Sequence, residues 1–495
     1  MGPALFGYVR HFHPSDEAFR ADWSALAISG VPAVEAAENA AQLGRRLEDF
    51  FRSVAPTVRV FPAAQAPPQL ELGGGTRTIS WRHHGFGTGN PQSAYRSERI
   101  RVDVTGGKLP APFLADLGGG VKAFIPMALY VDEKGTLPHA AATPARPKNV
   151  SARYTGNDRA TRLGDVVMAW NIFQHFYPYF DVVRTDWPKA LTTALQSAAA
   201  DKDEKEFLIT LRRLLAALKD GHGGVYVQGQ ALMAPPVVFG WVQNQLVVTQ
   251  VGEAAGQPIE RGDAVLSIDG KPTAQALAET EALISGATPQ WIRYRAVSEL
   301  GARPPDQPLM LEIEPFRDPW RRRTVTLQSK PVSPMPVEPR PEKITELKPG
   351  IFYVDLSRIA EEDWKAALAK LESATGIVFD LRGYPRVSPQ WLTHLSEKPL
   401  DSAQWHIPVI SEPDRKNMKF DRAPGWNLPP SKPYLRAKKV VLTDGRAIID
   451  AAGRIQRHLD RNEGSEARRL GTPRGGHPAD HPGRANPRRG GGGPR

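Results

Sequence analysis

An internal repeat limits this chain's fold more than any other feature of its sequence. Residues 8–55 match residues 172–219 at a constant offset of 164, without a gap. Val9, His11, Phe12, Pro14, Asp22 and Trp23 fall on Phe173, His175, Phe176, Pro178, Asp186 and Trp187. Leu43, Leu47, Phe51 and Val54 fall on Phe207, Leu211, Leu215 and Leu218. Two unrelated helical hairpins would explain this spacing less well than one unit used twice. Each copy reads as helices, because Phe207, Leu208, Leu211, Leu214, Leu215 and Leu218 recur at helical spacing and give one apolar face. Asp203 followed by Glu206 predicts a capping box, and Asp220-Gly221 predicts the helix stop. His11, His13 and His175 lie among aromatics with no carboxylate at metal-ligand spacing, so no metal or cofactor is read here.

The length of 495 residues predicts three to five domains. Copy one is assigned residues 1–62 and copy two 155–234. Between them, residues 63–150 alternate glycine clusters with β-prone runs such as Thr78–Trp81 and Ala123–Val131, which predicts a small β-rich domain. Residues 235–330 again read as strands, with one helix near Ala274–Ser285 and a tight Asp269-Gly270 hairpin. A Pro-rich linker is assigned to 331–343. Residues 344–460 alternate strand and helix, which argues an α/β layer. The fold class expected is multidomain α+β.

No cysteine occurs, which excludes a disulfide framework, thiolate zinc sites and a cysteine nucleophile. No apolar run of about 18 residues is present to span a membrane, and no signal peptide is visible at the N-terminus. The net charge of +11 points toward nucleic acid until it is located. Residues 461–495 hold eight Arg against Glu463, Glu466 and Asp480, and the other 460 residues carry only +6. The basicity belongs to a tail, and no nucleic-acid partner is expected.

Three places can carry chemistry. His222, in Leu218-Lys219-Asp220-Gly221-His222, follows a helix end and suits a general base. Asp380-Leu381-Arg382-Gly383-Tyr384-Pro385 ends a buried strand, where Gly383 lets backbone N–H groups face a developing oxyanion. The third is Val441–Asp450, a strand and glycine turn of the kind that presents a nucleophile, but no Ser, Thr or Cys stands at its helix start. Each also has a bland reading, as a loop histidine or a plain strand-to-loop turn.

In this order, Leu-Lys-Asp-Gly-His, the PDZ-like Arg261–Gly270 run, Asp-Leu-Arg-Gly-Tyr-Pro and Thr443-Asp444-Gly445-Arg446-Ala447-Ile448 resemble the tail-specific (carboxy-terminal processing) serine peptidases, tricorn-like branch. The likeness covers about residues 155–450. Ile284–Trp291 and Gly7–Glu17 also look like stretches found in that family. The resemblance implies a serine-type endopeptidase acting at or near protein C-termini, whose PDZ-like module binds free C-termini of protein or peptide substrates partly by strand addition. It implies His222 as general base, Gly383 in the oxyanion hole, no cofactor and no metal. It also implies an exported, periplasmic or cell-envelope location.

The chain departs from the pattern where the nucleophile is due. The family's Ser slot holds Ile449, with Asp450 next, and neither can attack a carbonyl. The family's later helix, turn and strands, including the Glu or Ser that orients the base, are also missing. After Leu470 no Val, Ile, Leu, Met, Phe, Tyr or Trp occurs, so residues 461–495 are expected to be disordered. An Arg/Gly-rich binding tail would account for this segment. A reading-frame shift near codon 449 accounts for it better, and the missing signal peptide fits a truncated start. The chain as written is expected to be catalytically dead. The alternative function is a non-catalytic PDZ-like peptide-binding protein.

Overall fold

The computed structural model describes residues 2–70, 72–87, 93–104, 109–139, 154–227, 232–252, 256, 258–305, 307–328, 338–383, 385–402, 404–423 and 425–446. Ile449, part of the Pro-rich linker and the whole 461–495 segment lie outside them. The architecture is mixed helix and sheet, of α+β class.

The two copies of the repeat fold alike. Helices Gly2–Phe12, Asp16–Arg20, Trp23–Glu35 and Ala40–Phe51 recur as Arg159–Phe176, Phe180–Val183, Trp187–Ala200 and Glu204–Ala216, which the 164-residue offset superposes in sequence. Asp22 and Asp186 are equivalent N-caps, accepting from Ala25 and Lys189 N–H at 3.0 and 3.0 Å. Phe6 packs on Trp23, and their equivalents Trp170 and Trp187 pack on each other. At the expected capping box, Asp203 accepts from the Lys205 and Glu206 N–H groups, but Glu206 reaches back to Lys202 rather than to Asp203. The last helix ends at Ala216, before the expected stop, and the left-handed residue is Lys219 (φ 54°) instead of a glycine. Tyr177 and Thr185 hydroxyls donate to the Leu218 and Ala217 carbonyls, so tertiary hydrogen bonds hold that turn.

Copy one buries its apolar face, Leu5, Val9, Phe12, Leu47 and Phe51, against a three-stranded sheet of Arg59–Pro62, Val121–Ile125 and Phe113–Gly118. The rest of the 63–150 region does not close on itself. Strand Arg77–His84 pairs with Arg96–Asp103 on one side and on the other with Trp405–Ile410, through Val409 opposite His84 and Ile410 opposite His83. Copy two has its own core, built on Val166, Trp170, Trp187, Phe207, Leu214 and Leu218.

Residues 237–327 form a six-stranded antiparallel sheet in the order Arg323–Leu327, Leu309–Glu314, Ala264–Ile268, Gln245–Val251, Val237–Val242, with Lys271–Pro272 paired to Ala264–Ile268. Asp269 (φ 51°) and Gly270 (φ 78°) supply the two left-handed residues of that hairpin. Helices Thr273–Glu281 and Pro289–Glu299 cover the sheet over Leu277, Ala296, Leu309, Leu311 and Ile313.

The α/β layer is a four-stranded sheet. Ile344–Lys348 runs antiparallel to Ile351–Asp355, while Ile351–Asp355, Gly376–Asp380 and Lys438–Leu442 are mutually parallel. Helix Glu361–Glu372 makes the crossover and packs Trp364 and Leu371 inward. No helix among the described residues is long and apolar enough to cross a membrane.

Candidate active site

The parallel register brings Asp355, Asp380 and Leu442 to the same level, at the carboxyl ends of their strands. Open α/β sheets place their ligands at this end. Both aspartates are fully buried, which is tolerable only if they are paired and hydrogen-bonded. Arg340 donates to Asp355 at 3.1 Å and stands 3.8 Å from Asp380. Arg358 donates to Asp355 and Arg382 to Asp380, each at 2.6 Å. Glu338 ties Arg340 to Arg382 at 2.8 and 2.8 Å. The Tyr353 hydroxyl donates to Asp380 at 2.6 Å.

This network holds the carboxylates ionised. Burial works against the Asp355 anion, but hydrogen bonds from Ser357, Arg358 and Arg340 outweigh it and bring the carboxyl down to about 2. Asp380 is lowered in the same way: burial opposes, while Arg382 and Tyr353 prevail. Burial and then Asp380 push Tyr353 up to about 12. None of these groups can exchange a proton near neutral pH, so the cluster positions the loops that leave the strand ends.

Gly383 is in one of those loops. Its φ of +126° is open to glycine alone, and Ser357 lies against it, 3.5 Å from where a Cβ would stand. The Ser357 hydroxyl donates to Asp355 at 2.6 Å. Asp355 is too acidic to take its proton, so Ser357 is not an activated nucleophile. The turn after the third parallel strand holds Asp444 and Arg446, which pair at 2.5 Å, with Arg446 3.9 Å from Glu338.

His222 sits on the loop after helix Glu204–Ala216. Its side chain is 69% exposed, and Nδ1 lies 3.0 Å from Asp220 Oδ1. A carboxylate only accepts, so the ring donates to it from Nδ1, the geometry that orients a histidine base. Asp220 also accepts from the His222 N–H at 3.0 Å, and its own N–H donates to Ser285 at 2.9 Å. The glycine turn borders a cavity of about 370 Å³ lined by Gly221, Gly223, Tyr226, Ile284, Trp291 and Arg295.

No hydrogen bond or ion pair joins His222 to Gly383 among the described residues. Helix Pro289–Glu299 touches both the cavity beside Gly221 and the turn at Gly445. Its Trp291 lines the cavity beside Gly221, while Gln290 and Tyr294 face Gly445, where an added Cβ would lie 3.0 Å from the Gln290 carbonyl oxygen. Ile449 lies outside the described residues. Sequence reading missed Glu338, Arg340, Tyr353, Asp355 and Ser357. One signal was available: Asp355-Leu356-Ser357-Arg358 and Asp380-Leu381-Arg382 both open on Asp-Leu, with an Arg three and two residues after the Asp.

No family model matches this chain, and no curated protein matches it. Solved structures similar to it include mature CPAF, at 14% identity and TM-score 0.40 over 51% of this chain and 61% of that one. The chain thus spans about three fifths of the length of that structure. A CPAF S499A mutant matches at 14% identity and TM-score 0.47 over 61% and 82%. The photosystem II D1 C-terminal processing protease matches at 15% identity and TM-score 0.29 over 59% and 78%.

Proposed function

We propose that this chain is built on the plan of a tail-specific serine peptidase and binds protein C-termini without cleaving them. The observation that carries the reading is the Asp220–His222 pair, exposed in a glycine turn with Nδ1 held on Asp220. In this plan His222 is the general base that takes a nucleophile's proton. The backbone around Gly383 contributes to oxyanion stabilisation. The six-stranded region within 235–330 is PDZ-like and receives the carboxylate-bearing end of a substrate. With Ile449 in the nucleophile slot, no acyl-enzyme can form. The substrate class is unstructured protein or peptide with a free C-terminus, and no step needs a cofactor.

The test uses the purified 495-residue chain with labelled unstructured peptides in two forms, free acid and C-terminal amide. Saturable binding is expected for the free acid, at least about tenfold tighter than for the amide, with no product by mass spectrometry. Equal affinity for the two forms contradicts C-terminal recognition. Cleavage that disappears in His222→Ala contradicts the inactivity and locates an active base.

A further inference from the structure

Two helix faces meet over the cavity beside Gly221. Leu208, Arg212 and Leu215 recur at i, i+4 and i+7 on helix Glu204–Ala216, so they share one side of it. Trp291, Arg295 and Glu299 recur at i, i+4 and i+8 on helix Pro289–Glu299 and likewise share a side. All of them line the cavity of about 370 Å³. Ile284 and Ser285 add to the wall, and the Ser285 hydroxyl accepts from the Asp220 N–H at 2.9 Å, which ties that wall to the glycine turn. Cavities of about 300–1,000 Å³ are those that enclose small ligands.

The charge of the lining is gathered at one place. Glu299 accepts from Arg212 at 2.5 Å and from Arg295 at 2.8 Å. Arg295 also donates to the Tyr226 hydroxyl and lies over Trp291, its guanidinium carbon 5.5 Å from the ring centroid. Among the described residues of the lining, these two cations face one anion, which leaves a net charge of +1. The side chains of Arg212, Arg295 and Glu299 are 25, 33 and 26% exposed, so the excess charge is partly withdrawn from water and acts more strongly than one on an open surface. Each guanidinium is a planar fork of several N–H donors, and one shared carboxylate with one phenol oxygen does not exhaust them. A second carboxylate matches both the excess charge and the fork. Leu208, Leu215, Ile284 and Trp291 offer the rest of such a ligand an apolar wall.

We propose that this cavity binds a carboxylate that carries a compact apolar group, with the carboxylate on Arg212 and Arg295 and the apolar group against Leu208, Leu215, Ile284 and Trp291. That chemistry reaches the cavity either as a small organic acid or as the last residue of a polypeptide. The assignment stands on the residues of this cavity and not on His222 or Gly383, so it does not rest on the peptidase reading.

The probe is hydrocinnamate, titrated calorimetrically into the full chain beside its primary amide and beside acetate. Saturable binding of hydrocinnamate is expected, at least about tenfold tighter than of either control. The double variant Arg212→Gln, Arg295→Gln is expected to weaken it at least about tenfold. Leu208→Trp fills the cavity, leaves both arginines in place and is expected to block binding equally. Glu299→Gln removes the competing carboxylate and is expected to bind at least as tightly as the parent, whereas an Arg–Glu–Arg tie that only joins two helices predicts no gain from the arginines and a loss here. Failure of hydrocinnamate to bind, equal binding of acid and amide, undiminished binding in the double variant and in Leu208→Trp, or loss of binding in Glu299→Gln each overturns the proposal. A labelled peptide with a free C-terminus distinguishes the two sources. Its displacement by hydrocinnamate identifies the polypeptide end as the occupant. Arginine-dependent binding of hydrocinnamate with no peptide binding identifies a small acid, and then the C-terminal reading fails while this site stands. Peptide binding with none of hydrocinnamate keeps that reading and overturns this site.

Discussion

Four histidines sit in the interior around the seam between the two repeat copies, and each is held neutral. Burial lowers His13 and His175 to about 3 and His83 to about 4, and it takes His11 well below its ordinary value. Their partners differ in kind. His13 bonds Ser15 and Thr57, and His83 bonds Ser97 and the His11 carbonyl, whereas His11 Nε2 and Asn171 Oδ1 are buried with no hydrogen-bond partner among the described residues. An unfolded histidine titrates near about 6.5. Below that pH the unfolded chain binds protons that the native state refuses, so stability falls as pH drops from about 6.5 toward about 4. Each site contributes up to about 1.4 kcal/mol per pH unit. Denaturant unfolding at pH 7 and pH 5 is expected to differ by several kcal/mol, and His175→Asn is expected to flatten the dependence. Superimposable curves at the two pH values would refute this. Asp355 acts in a separate window. Its native carboxyl, at about 2, is below the unfolded value, so its contribution is intact above about 4 and is lost as pH falls toward 2.

At the scale of elements, the seam helices depend on one glycine. A methyl group on Gly7 would overlap Asn171 Oδ1 and lie 2.8 Å from His175 Nε2. Helix Gly2–Phe12 would have to lift off helix Arg159–Phe176. Gly7→Ala is expected to cost about 1–3 kcal/mol despite the better helix propensity of alanine. Adding Asn171→Ala should recover part of that loss, because it removes the atom that clashes. The check is the thermal unfolding midpoint of both variants. A Gly7→Ala protein as stable as the parent would mean that the seam is looser than this geometry requires.

At the scale of the molecule, strand Arg77–His84 is completed by Trp405–Ile410, some three hundred residues later in the chain. His84 bonds Asp421 at 2.8 Å, and Arg415 donates to the Gln174 and Tyr177 carbonyls. The first 150 residues therefore pair with residues 404–423. Expressed alone, residues 1–150 are expected to aggregate or to remain partly unfolded in circular dichroism and size exclusion, with an open strand edge where Trp405–Ile410 belongs. A monodisperse, cooperatively unfolding 1–150 fragment would contradict this.

Much of the molecule was legible in order along the chain. The repeat, the helix faces of both copies, the Asp269-Gly270 hairpin and the strands around residues 351, 376 and 438 all rest on spacing and local turn chemistry, which a sequence displays directly. His222 and Gly383 stand out in the sequence as candidates for the same reason, since each follows the end of an element. What only the tertiary structure decided is which of these pieces touch. The Asp355–Arg340–Asp380–Arg382 network, the pairing of residues 405–410 with 77–84 and the meeting of Gly7 with Asn171 join residues far apart in sequence. Such contacts leave no periodic trace, because burial and charge pairing depend on distance in space and not on separation along the chain.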